Sequence, residues 1–220
     1  AYFERYPGDR QRLRELERRL AGEEVHLPSG DRLTVRRLRQ VGLALGMSTG
    51  FEEIHHLLEL PFESPAFLHD VERAVGFARN PIYATLHEAC YADGGSTAWS
   101  AARLLPAEFE AEGWLTAEHV FPWMWDEYGA LREHAAAAEL LAQRDWPRLY
   151  DPAVLARNEV AVAATIYVDD IYVERAFAEE TARSIRGLRP WITNEFEHNG
   201  LRAGGERVLD RLIALARGEM

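Results

Sequence analysis

Lysine is missing from this 220-residue sequence altogether. All 25 basic residues are arginines, which we attribute to genome composition rather than to chemistry. Only one cysteine is present, Cys90, which excludes a disulfide framework within the chain and suits a reducing compartment. Positive charge is in deficit too. The net charge of −11 argues against nucleic-acid binding, which needs a basic face. No apolar run is long enough to span a bilayer, and the first residues form no signal-peptide core. These absences predict a cytoplasmic protein with neither a nucleic-acid nor a membrane partner. The sequence starts at Ala1, inside a helical pattern, and its first methionine is Met47. Either an initiator methionine has been removed or the sequence is a piece of a longer protein.

What is present concentrates between residues 160 and 200. Residues 160–168 are an almost unbroken apolar run rich in β-branched side chains, the composition of a strand buried on both faces. The run ends abruptly in Asp169-Asp170. A helical pattern covers 176–186 and stops at Gly187. A short strand, 191–193, is entered through Pro190, where a missing N–H is tolerated. It leads into Glu195-Phe-Glu-His198-Asn-Gly200. A last helix opens at Gly204-Gly205, with Val208, Leu209, Leu212, Ile213 and Leu215 on its apolar side. Ligands of open α/β sheets sit beyond the carboxyl ends of the strands. An acid after one parallel strand and a histidine after the next can therefore meet at one edge. Such a pair lets histidine shuttle a proton while the acid fixes its tautomer. Asp170 is preferred to Asp169, because the loop can turn the farther carboxylate towards His198.

The first 155 residues read as nearly all helix. One amphipathic helix is predicted over 2–21, carrying Leu13, Leu16 and Leu20, with a solvated Arg/Glu face. Residues 25–33 read as two extended pieces about a Pro-Ser-Gly-Asp turn. Thr34 caps a helix running to Leu45, and Phe51 to Leu60 forms another. Ser64-Pro65 and Asn80-Pro81 signal helices to about 77 and 91. A shorter helical pattern covers 97–104, an Ala-rich one covers 127–144, and Asp151-Pro152 caps a final turn before the strand. One β-α-β-α unit cannot cover its own edges and faces, so the sheet reads as the end of a larger one.

Gly46-Met-Ser48-Thr-Gly50 matches the G-x-S-x-G nucleophile elbow, and Asp170 and His198 follow it in triad order. The elbow requires a buried strand before the serine. Residues 36–45 have helical spacing and three arginines instead, so the motif reads as a helix–helix turn, with Ser48 or Thr49 as a cap. His55-His56 is a poor chelating pair, because adjacent helical side chains diverge by about 100°. His87-Glu88 lacks the second histidine of H-E-x-x-H, so neither a metal nor a cofactor is predicted. The aromatic cluster at 121–125 reads as core.

Five segments resemble the prolyl aminopeptidases, or proline iminopeptidases. They are Tyr2-Phe-Glu-Arg-Tyr-Pro-Gly-Asp9, Leu38-Arg-Gln-Val-Gly-Leu-Ala-Leu-Gly-Met-Ser48, Asn80-Pro-Ile-Tyr-Ala-Thr-Leu-His-Glu-Ala-Cys-Tyr91, Phe121-Pro-Trp-Met124 and Glu197-His-Asn-Gly-Leu-Arg202. That family comprises serine exopeptidases of the α/β-hydrolase fold. The resemblance implies an α/β protein, with a helical cap domain over 1–155 followed by the C-terminal β-α-β-α portion of a hydrolase core over 156–220. It implies Asp170 as triad acid and His198 as general base. It places the nucleophile on an N-terminal core segment outside this chain, which makes Ser48 a cap residue. Glu88 and Glu118 are the positions that match, loosely, the cap glutamates holding the free amino terminus of a peptide beginning with proline. A cationic imino group entering an aromatic pocket needs such negative charge. The function expected is that part of a serine aminopeptidase releasing N-terminal proline. This chain alone is expected to be inactive. Two other readings compete: a non-catalytic helical binding module, and a small esterase using Ser48.

Overall fold

The computed structural model describes residues 1–220, the side chain of Glu110 excepted. It is helix-rich with one small parallel sheet. The chain falls into two compact units. One comprises residues 1–44 and 51–149, the other residues 45–50 and 150–220. Among the described residues, no helix is long and apolar enough to cross a membrane.

The first unit is built of short helices whose starts follow local chemistry. Thr34 lies in extended backbone and accepts the Arg37 N–H at 3.2 Å, opening the helix Val35–Arg39. Ser64 accepts the Phe67 N–H at 3.1 Å, and Pro65 occupies the first turn of Pro65–Val75. The predicted helix over 2–21 is two helices, Tyr2–Arg5 and Pro7–Gly22. Pro7 drives Tyr6 out of the helical region, to φ −123° and ψ 70°. Leu13, Leu16 and Leu20 are buried as their spacing predicts. The extended pieces at 25–33 meet in one antiparallel bridge, His26 to Arg32, and Gly30 turns between them at φ +88°.

Two predicted helices tighten before their expected ends. Val35–Arg39 passes into a 3₁₀ helix, Gln40–Gly46, because the Arg39 carbonyl accepts the Thr116 N–H at 3.0 Å. A Cβ on Gly42 would stand 2.3 Å from the Thr116 carbonyl oxygen, so the close approach demands glycine. Pro81–His87 likewise continues as 3₁₀ through Glu88–Tyr91. Asn80 makes no side-chain capping bond, so Pro81 alone marks that start. One core cluster of this unit gathers Phe121, Met124, Trp125, Tyr128 and Leu131 against Ala138 and Ala142. The aromatic run at 121–125 is therefore largely core.

In the second unit, β1 (Val162–Tyr167) and β2 (Leu188–Thr193) pair in parallel, from Val162 opposite Leu188 to Tyr167 opposite Thr193. The helix Arg175–Ser184 makes the crossover, and Gly200–Gly204 and Glu206–Arg217 follow. Asp151 caps Pro152–Leu155 by accepting the Ala153 and Val154 N–H groups at 2.8 and 3.3 Å. β2 is longer than predicted and contains Pro190 opposite Ala164. Proline is tolerated there because β2 has a partner on one side only. β1 departs from the expectation of burial on both faces: Ile166 alone is buried and the rest of the strand is half-buried. Two strands and their helices do not supply enough cover. Trp191, Phe196 and Val208 form the small core, while Leu209 and Ile213, predicted on the apolar side of the last helix, are exposed.

Candidate active site

The strand ends bring two predicted residues together. Beyond Tyr167 the pairing persists for one residue, with the Val168 N–H donating to the Thr193 carbonyl at 2.9 Å. The chain then turns at Asp169-Asp170. Oδ1 of Asp170 accepts the Tyr172 and Val173 N–H groups at 2.9 and 3.0 Å. This turn fixes the carboxylate, and its Oδ2 lies 3.0 Å from His198 Nδ1. The Asp170 side chain is 7% exposed and that of His198 is 40% exposed. Asp169, one residue earlier, is exposed.

The chemistry follows from which ring nitrogen is engaged. Nδ1 faces the carboxylate, so Nε2 is the nitrogen left for proton transfer. A shielded acid and a half-exposed imidazole suit that work: one orients, the other meets solvent or substrate. His198 lines a cleft of about 540 Å³ with Met47, Asn199, Leu201 and Arg202. The ring of Tyr172 stands edge-on to the imidazole, centroids 4.8 Å apart. Two residues on, the Tyr167 ring packs against Gly200, where a Cβ would lie 2.4 Å from the hydroxyl oxygen.

Residues 45–50 belong to the same compact unit. A 3₁₀ helix, Gln40–Gly46, and not a strand, precedes Ser48. The Ser48 hydroxyl and N–H both donate to Asn199 Oδ1, at 2.7 and 3.1 Å. The His198 N–H donates to the Gly46 carbonyl at 3.2 Å. These partners are about 150 positions apart in sequence, and no local pattern announced them.

Glu88 and Glu118 lie in the helical unit. The Glu88 side chain is buried, and its Oε1 accepts the Ser100 N–H at 2.5 Å and hydroxyl at 3.0 Å. Its Oε2 is buried without a hydrogen-bond partner among the described residues. Tyr91 donates its hydroxyl to the Glu118 carbonyl at 3.3 Å and lies 3.2 Å from His119 Nδ1. Tyr83, His87, Tyr91, His119, Phe121 and Trp123 follow one another as neighbouring rings, centroids 5.5 to 6.5 Å apart. Burial pushes the Tyr91 phenol up to about 12, with the negative charge of Glu88 adding to it. Burial holds His87 below the usual imidazole range, the His119 ring adds to this, and Glu88 opposes it. His119 is lowered by burial as well, again with Glu88 opposing. A buried carboxylate with one unpartnered oxygen is a setting for a cation.

His55, His56 and Glu59 place ligand-type atoms within 4.8 Å of one another, closer than the helical divergence of two adjacent histidines implied. His55 Nδ1 is also 2.9 Å from Asp9 Oδ2, and Asp9 in turn accepts from the Tyr2 hydroxyl and from Arg12. Tyr6 stacks on the His55 ring at 4.0 Å. The group is thereby accounted for as an anchor between Pro7–Gly22 and Gly50–Glu59.

An acid and a histidine thus meet at the carboxyl edge of a parallel sheet. The chain is 44% identical to the proline iminopeptidase of Aeromonas sobria over a 229-residue alignment covering 99% of this chain and 54% of that protein. It is 32% identical to a proline iminopeptidase of Aspergillus aculeatus, over 97% of this chain and 51% of that protein. This chain is thus similar to two curated proline iminopeptidases, and it spans about half the length of these relatives. No family model matches it.

Proposed function

We propose that this chain is the substrate-recognition and acid–histidine portion of a serine aminopeptidase that releases proline from the amino terminus of peptides. The observation that carries the reading is the 3.0 Å contact between Asp170 Oδ2 and His198 Nδ1 at the ends of adjacent parallel strands. In this reading β1 and β2 are the last strands of an α/β-hydrolase core, and the helical unit is its cap. A serine on an N-terminal core segment outside this chain attacks the prolyl carbonyl. His198 Nε2 takes the serine proton and passes it to the leaving amine. It then activates the water that frees the proline. Asp170 holds the tautomer and stabilises the imidazolium. Glu88 and Glu118 attract the positively charged imino terminus.

Two features support a partner segment. β1 has one neighbouring strand, where an interior strand of an open sheet has two. Val160, Ile171, Val173, Phe177 and Ile192 are all exposed, as befits surfaces that another part of a core covers.

The test is a kinetic panel in the full-length enzyme, read on a prolyl arylamide. His198→Ala should remove nearly all turnover with substrate binding retained. Asp170→Asn should lower kcat by about 10⁴-fold, by analogy with other triads. Asp169→Asn should cost far less. A crippled Asp169→Asn beside a near-normal Asp170→Asn would reverse the acid assignment.

A further inference from the structure

We infer that Gly46, Ser48 and Asn199 form a brace that fixes the backbone of His198, making Ser48 and Asn199 positioning residues for the proton relay. The inference rests on the proposed role of His198 and deepens it. The loop from 194 to 199 belongs to no helix or strand, and the His198 side chain is 40% exposed. A ring so placed is tethered at Nδ1 alone unless its backbone is also held. The chain supplies that hold from residues far away in sequence. The Gly46 carbonyl takes the His198 N–H at 3.2 Å. Asn199 Oδ1 takes both the Ser48 N–H and its hydroxyl, at 3.1 and 2.7 Å. Three hydrogen bonds thus clamp two consecutive loop residues onto one short segment.

Tyr172 closes the arrangement. Its N–H donates to Asp170 Oδ1 at 2.9 Å, and its ring stands edge-on to His198. The same ring lies over Gly46, where a Cβ would come within 2.5 Å of Tyr172 Cε2. Glycine at 46 is therefore what lets the tyrosine ring sit between the brace and the imidazole. The serine of the apparent G-x-S-x-G motif gains a role unrelated to nucleophilic attack: its hydroxyl is a hydrogen-bond donor to Asn199. Displacement of a reacting group by about 1 Å can cost about 10²-fold in rate. A loop with a 40% exposed histidine gains most from such a clamp.

The first readout needs no turnover. In this chain, the NMR signals of the His198 ring protons should carry a ring-current shift from Tyr172. Asn199→Ala should abolish that shift, and Ser48→Ala should reduce it. Asn199→Asp and Ser48→Thr, which keep the acceptor and the donor, should retain it. An unchanged shift in Asn199→Ala, with unchanged circular dichroism, would overturn the brace. If Asn199→Ala fails to fold, the Ser48→Ala and Ser48→Thr pair decides by the same signal.

The second readout is kinetic, in the full-length enzyme on a prolyl arylamide. Asn199→Ala should lower kcat by about 10- to 100-fold with KM within about twofold, and Ser48→Ala by less than about tenfold. Ser48→Thr should stay near wild type. Loss of more than about 10³-fold in both Ser48 variants, with His198 signals unchanged, would make Ser48 a nucleophile and end the positioning role. If the wild-type enzyme does not cleave prolyl substrates, the proposed function fails, and the NMR signals still decide the brace.

Discussion

Glu88 offers the most direct way to separate folding from recognition, because its two carboxylate oxygens have different surroundings. Oε1 accepts two bonds from Ser100, at the start of the helix Ser100–Leu104, while Oε2 is buried without a partner among the described residues. Hydrogen bonds to a charged group contribute about 1.5–3 kcal/mol each, and their sum is not additive. Glu88→Ala removes both, and leaves a void. The expected cost is about 3–4 kcal/mol of stability. Glu88→Gln keeps one acceptor oxygen for Ser100. Its bonds weaken to those of a neutral pair, and the burial of a charge is relieved at the same time, so the net change should stay within about 1 kcal/mol. Thermal unfolding of this chain measures the first half. At about 2–4 °C per kcal/mol for a protein of this size, Glu88→Ala should melt roughly 6–16 °C lower and Glu88→Gln within a few degrees of wild type. The second half is read in the full-length enzyme. Glu88→Gln should lose activity on substrates with a free amino terminus far more than on a neutral ester, since only the former carries a cation to attract. Equal losses on both substrates would refute amine recognition. A Glu88→Ala protein as stable as wild type would refute the structural accounting.

Further outcomes follow from other parts of the molecule. This chain alone should remain unlabelled by a fluorophosphonate probe; stoichiometric labelling at Ser48 would restore the esterase reading. His87 and His119 are held below their ordinary value of 6.5, so the unfolded chain takes up protons first as pH falls through that value. Urea midpoints of the helical unit should therefore drop between about pH 7 and pH 5, and a His87→Leu, His119→Leu double variant should flatten the drop. An equally steep drop in the double variant would refute the assignment. Gly200→Ala should cost about 1–3 kcal/mol by driving Tyr167 aside, and the His198 NMR signals should move with it; unchanged signals and melting would mean that the contact yields freely.

The sequence made parts of this structure legible where the cause is local. Thr34, Ser64 and Asp151 cap helices as their positions foretold, because a side chain reaching its own N2 or N3 amide needs nothing from afar. Asp170 and His198 were legible for a related reason: the ends of two paired strands separated by one helix must be neighbours. The break at Tyr6 was legible in principle, since Pro7 restricts the residue before it, and the leucine spacing masked it. The tightening at Gln40–Gly46 was not legible, because it depends on Thr116 reaching the Arg39 carbonyl. The partner of Glu88 was equally hidden, since Ser100 reaches it across a turn in which Ala98 and Trp99 both adopt positive φ. The half-burial of β1 was missed because composition reports the environment a strand is suited to, not the cover present in this chain.

The span of the brace orders the assembly of the site in time. Asp170 and His198 are 28 residues apart, whereas Ser48 and Asn199 are separated by 151. Closing the longer loop costs about 1.5 kcal/mol more in chain entropy than closing the shorter one. The acid–histidine contact can therefore form as soon as β1, its crossover helix and β2 have come together. The clamp carries the larger closure cost and is expected to form after the pair. A nascent or partly unfolded molecule would then hold the pair in contact with the ring still free to swing, and rigidity would arrive last.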